Sequence, residues 1–94
     1  MVRHIICFKL CEGESAEKAK AVLMSMKGKV SCIQEIEVGI DELHSARSYD
    51  VFLSVVMADM DALDAYQKDP YHVEVVKKYM KKVAIDSAVI DYTF

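Results

Sequence analysis

Cysteine is scarce in this chain and carries no pattern. Its three copies, Cys7, Cys11 and Cys32, form no Cys-x-x-Cys pair and no metal-ligand spacing, so neither a metal nor a redox dithiol is called for. On a shared strand Cys7 and Cys11 would stand about 13 Å apart, too far for a disulfide. All three are expected as small buried apolar side chains in a reducing compartment. Positive charge is also short. Twelve Lys and Arg against fifteen Asp and Glu give a formal net charge of −3, without the basic stripe that a phosphate backbone demands, which excludes a nucleic-acid partner. Long apolar runs are missing too, since nothing approaches the roughly 18–20 residues of a membrane span. The opening Val2 to Leu10 is interrupted by Arg3, His4 and Lys9 and lacks a signal-type apolar region and cleavage pattern. A cytoplasmic protein with no membrane association is expected. There are no linkers, repeats or low-complexity stretches, so residues 1–94 are expected to form one small domain.

What is present is apolar and periodic. Hydrophobic residues make up 53% of the chain, an excess for a domain that buries only about 60–65% of its unfolded surface. A second burial surface, such as an oligomer interface, would absorb that excess. Val2 to Cys11 reads as a first strand with Val2, His4, Ile6, Phe8 and Leu10 on one face, apolar apart from His4. Its other face is mixed, as for a strand with protein on both sides. Ser15 is a good N-cap for a helix carrying Ala16, Ala19, Val22, Leu23 and Met26, and Gly28 supplies its stop. Further strands are expected over Cys32 to Ile40 and Tyr49 to Met57, separated by a polar loop. Asp59 and Asp61 open a short helix through Tyr66, a second helical run continues to Val83, and Ser87 to Phe94 forms the last strand.

The order β-α-β-β-α-β is the ferredoxin-like arrangement of an α+β domain, with a four-stranded antiparallel sheet and helices on one face. The second face, with Ile5, Cys7, Phe52 and Val56, would not stay in water alone. Face-to-face homodimerisation is the simplest way to cover it.

The densest chemistry lies in Ala65-Tyr66-Gln67-Lys68-Asp69-Pro70-Tyr71-His72. Asp69 is suited to cap a helix and Pro70 to begin it, where no backbone donor is needed. His72 then falls in the first turn, where the helix dipole disfavours the imidazolium and keeps the ring neutral and base-competent. Lys77, Lys78, Lys81 and Lys82, with Glu74 nearby, read as a solvated helix face rather than an anion site. Met24, Met26, Met57, Met60 and Met80 read as core filler able to line an adaptable apolar pocket. Asp91, inside an apolar strand, is expected to pair with Arg3 or Lys9 on a neighbouring strand.

Several segments together resemble a known family: the start Val2-Arg3-His4-Ile5-Ile6-Cys7-Phe8-Lys9-Leu10, Tyr49-Asp50-Val51, Ala62-Leu63-Asp64-Ala65-Tyr66, Asp69-Pro70-Tyr71-His72 and the ending Val89-Ile90-Asp91-Tyr92. In order and spacing they are similar to the stress-responsive dimeric α/β-barrel (Dabb) domain, over essentially the whole chain. The resemblance implies a homodimer whose two sheets close into a barrel. It also implies site residues by analogy with the family's plant polyketide cyclases, which perform aldol condensation without a cofactor. A first-strand His, a Tyr ending the helix after the third strand and the His of the Pro-x-His element line their cavity. Those positions correspond to His4, Tyr66 and His72. The cyclases' further His, early in the third strand, corresponds to Val51 and has no counterpart here.

Two functions are expected on these grounds. One is a stress-responsive barrel protein that holds a small apolar ligand between sheet and helices without established catalysis. The alternative is a cofactor-independent cyclase, lyase or isomerase acting on a small carbonyl or polyketide-like substrate. In that case His72 is the general base, Tyr66 donates to the developing enolate oxygen and His4 orients either partner.

Overall fold

The computed structural model describes all 94 residues, Met1–Phe94. Four strands, β1 (Val2–Leu10), β2 (Glu35–Ile40), β3 (Val51–Met57) and β4 (Ala84–Thr93), form one antiparallel sheet in the order β2-β3-β1-β4. The helices α1 (Ala16–Met24) and α2 (Met60–Lys68) pack on one face, together with a third helical run that ends in α3 (Lys78–Val83). The ferredoxin-like α+β arrangement read from the sequence is the one observed.

Local chemistry sets most boundaries. Ser15 Oγ accepts from the Lys18 amide at 3.1 Å to start α1, and Asp59 Oδ1 accepts from the Ala62 amide at 2.9 Å to start α2. β2 begins at Glu35 rather than Cys32 because the chain turns through residues 31–32 before joining the ladder. β3 begins at Val51 rather than Tyr49. There the Asp50 side chain takes a strand partner's place, its Oδ2 accepting from the Leu10 amide at 2.7 Å. β4 starts earlier than the apolar pattern suggests, at Ala84, and a register shift opposite Lys9 and Leu10 absorbs the irregularity.

The even residues of β1 face the helices, with Val2, Phe8 and Leu10 buried against Leu53, Val55 and Met57 of β3. Ala19 and Leu23 of α1 and Leu63 and Tyr66 of α2 close over them. Truncating a side chain as enclosed as Leu23, 1% exposed, to Ala costs about 2–5 kcal/mol. Met26, Met57 and Met80 are buried here as expected, but Met60 is 58% exposed because it begins α2 on the solvent side. The opposite face carries half-buried Ile5, Cys7 and Phe52 beside Val56, under a depression of about 820 Å³ bordered by Arg3, Glu37 and Tyr92. All three cysteines are free.

Candidate functional site

Four polar side chains from four elements converge on the helix-facing side of the sheet. His4 comes from the middle of β1, between Val55 of β3 and Asp91 of β4, its direct neighbours in the ladder. Tyr66 lies near the end of α2, and its ring centroid is 5.6 Å from that of His4. His72 continues the chain of rings, with its centroid 4.3 Å from that of Tyr66. The structure therefore brings together the residues singled out by sequence, all of them buried. His44, the third histidine, sits apart in an exposed loop beside Asp41.

Asp69 and Pro70 place His72. Asp69 Oδ1 accepts from the amides of Tyr71 at 2.9 Å and His72 at 3.2 Å, and the Asp69 carbonyl accepts from the Val73 amide at 2.9 Å. The next turns depart from a simple helix. Residues His72–Lys77 wind as a π-helix before α geometry resumes at Lys78. Such wide turns are rare and concentrate at functional sites. No periodicity in the sequence announces this one.

Burial lowers the His72 pKa below that of an ordinary imidazole, with Lys77 and His4 pushing the same way and the Gln67 backbone and Asp69 opposing. The ring is neutral at pH 7. Its Nδ1 is buried without a hydrogen-bond partner, an omission that costs about 1–3 kcal/mol and is uncommon in a settled core. Burial raises the Tyr66 pKa far above that of an ordinary phenol, and the charge of Asp91 adds to it, so the hydroxyl keeps its proton as a donor.

Asp91 departs from the pairing expected by sequence. Its carboxylate does not pair with Arg3 or Lys9. Oδ1 lies 2.5 Å from His4 Nδ1. Strand parity explains the difference: Arg3 and Lys9 project from the other face. There Arg3 donates to the Tyr92 hydroxyl at 3.1 Å, and Lys9 lies 3.7 Å from Asp50. Because a carboxylate only accepts, His4 Nδ1 is the donor in this contact. The signal for this pair was present in Asp91 itself, and only the β1–β4 register was needed to use it.

A cavity of about 550 Å³ opens between the sheet and the third helical run, lined by His4, Tyr66 and His72 and floored by Phe8, Leu53 and Val76. That volume is in the range of small-molecule sites. Lys77 and Lys81 also line it, which the reading of the lysines as one solvated face did not anticipate.

The stress responsive A/B barrel domain model matches residues 2–94. This chain belongs to the Dabb family. Among solved structures, a Dabb family protein from Mesorhizobium loti is 25% identical with a TM-score of 0.74, over 99% of this chain and 95% of that one. A protein from Bacteroides fragilis, described as dimeric, ferredoxin-like and of unknown function, is 27% identical with a TM-score of 0.77, again over 99% and 95% of the two chains. A hydroxynitrile lyase from Passiflora edulis has a TM-score of 0.81 at 16% identity, over 99% of this chain and 95% of that one, a likeness of fold alone. No curated protein matches this chain. No helix of this Dabb chain is long and apolar enough to cross a membrane.

Proposed function

We propose that this stress-responsive barrel protein acts as a homodimer that binds a small, largely apolar molecule between its sheet and its helices. The observation that carries this reading is the cavity of about 550 Å³, apolar along its floor and ending in His4, Tyr66 and His72. Dimerisation through the open sheet face is supported by Ile90 and Tyr92 of β4, 58% and 38% exposed, which lie beside Ile5 and Arg3 on that face. The test is a thermal-shift screen of small apolar compounds against the dimer, with Leu53→Phe to fill the cavity. Ligands that raise Tm for the native protein and not for the filled variant support the reading. Equal shifts for both overturn it.

A second reading is favoured by one observation, the neutral His72 ring with an unpartnered nitrogen against a protonated Tyr66. In it His72 takes a proton from a carbon next to a carbonyl. The C–H electron pair moves into an enolate, and Tyr66 O–H stabilises its oxygen until a proton returns. Asp91 holds His4 in one tautomer beside Tyr66. Turnover of a β-polyketone that disappears in His72→Ala would support this chemistry, and unchanged turnover in that variant would sink it.

A further inference from the structure

The third helical run does more than cover the cavity. In an unbroken α-helix, Lys77 would lie about 140° and Lys81 about 180° around the axis from His72, facing away from the residue that marks the cavity. The π-helix at His72–Lys77 closes its hydrogen bonds five residues apart and turns each residue through a smaller angle. His72, Val76, Lys77, Met80 and Lys81 consequently all line one cavity. Lys78 and Lys82 do not, although they belong to the same cationic cluster.

Neither Lys77 nor Lys81 has a carboxylate within ion-pair distance, since the ion pairs of the chain involve His4, Lys9, His44 and Lys68. Asp86 shares the rim, and its carboxylate accepts from the Ser87 amide at 2.9 Å. Two ammonium groups and one carboxylate leave the rim with one net positive charge. Below it, hydrophobic residues supply 10 of the 17 that line the cavity. The field of Lys77 also reaches the far end, because its charge is one of the influences that lower the His72 pKa.

We propose that Lys77 and Lys81 form a recognition rim for a monoanion, so that the cavity takes an amphipathic carboxylate with its apolar body inside and its carboxylate at the mouth. This rests on the pocket reading above. A dianion is disfavoured by Asp86, and a purely apolar ligand leaves both ammonium groups without a role.

Octanoate and octan-1-ol, matched in chain length and different in charge, test the assignment by calorimetry on the native dimer and on two charge-matched variants. In K77Q/K81Q the octanoate Kd rises about fivefold or more, while the octan-1-ol Kd stays within about twofold. In K78Q/K82Q, which removes the same charge away from the cavity, both stay within about twofold. Octanoate affinity also falls as salt rises. If octan-1-ol binds and octanoate affinity is the same in K77Q/K81Q as in the native protein, the rim assignment is overturned and the pocket stands. If inorganic phosphate displaces octanoate at equal concentration, the rim is a simple anion site and the assignment is likewise overturned. If neither probe binds, the pocket reading falls and takes the rim with it.

Discussion

His4 Nδ1 donates to Asp91 Oδ1 across the β1–β4 ladder at 2.5 Å, and the two residues differ sharply in exposure. The His4 side chain is 7% accessible and that of Asp91 34%. The buried partner loses most when the pair is broken. Asp91→Ala leaves a buried ring N–H unsatisfied and lowers stability by about 1–3 kcal/mol. Asp91→Asn keeps an accepting oxygen and recovers part of that loss. Urea unfolding of the two variants checks both statements, and equal stability for Ala and Asn would refute the hydrogen-bond explanation.

His72 gives the fold a pH dependence of defined sign. Its pKa in the folded chain lies below the ordinary value of 6.5, so below that value the unfolded chain takes up the proton first. The stability it contributes is complete above about 6.5 and is lost as pH falls toward the depressed folded value. Unfolding free energies measured from pH 7.5 down to pH 5 should fall more steeply for the native protein than for His72→Gln. Parallel curves would show that the ring titrates normally.

Tyr71 ties the start of the π segment to the end of α1, its hydroxyl donating to Ser25 Oγ at 2.8 Å. Tyr71→Phe removes that link and costs about 0.5–1.5 kcal/mol. Because Tyr71 precedes His72, ligand-induced thermal shifts should shrink alongside the loss in Tm.

Deleting Val75 tests the π geometry directly. The residue is 42% exposed, so little core is lost, and the shorter segment can close α-type hydrogen bonds. With Val76 and Met80 held in the core, His72 then keeps nearly the same direction relative to them, because α-type steps with one residue fewer span almost the same angle as the wide turn. Far-ultraviolet circular dichroism and probe binding should both be retained. Loss of binding with the fold intact would show that the site needs more from the wide turn than the direction it gives His72.

Ile90→Lys places a charge on the open sheet face opposite Ile5. Light scattering should report a monomer, and the Tm should lose its dependence on protein concentration. A dimer that survives this substitution must use another surface.

The sequence made the fold legible because alternation along β1 and the caps at Ser15, Asp59 and Asp69 all agree with one topology. His4, Tyr66 and His72 were legible for a different reason, through their resemblance to family positions. Asp91's partner was hidden, because pairing across two strands far apart in sequence depends on register, which a one-residue shift reverses. The split among the lysines was hidden more deeply. Regular helical spacing already sets Lys77 and Lys81 about 100° from Lys78 and Lys82, and the π-turn decides which pair faces the cavity that His72 marks.

The outer edge of β4 has a practical meaning for the lone protomer. One side of this ten-residue strand pairs with β1 and the other side pairs with nothing in the chain, while Ile85, Val89, Ile90 and Phe94 are each more than half exposed. A long, bare, apolar edge is a template for strand-on-strand aggregation. For the homodimer proposed above, dilution, which usually protects proteins from aggregating, works the other way by releasing protomers with this bare strand. Preparations should keep better when concentrated than when dilute.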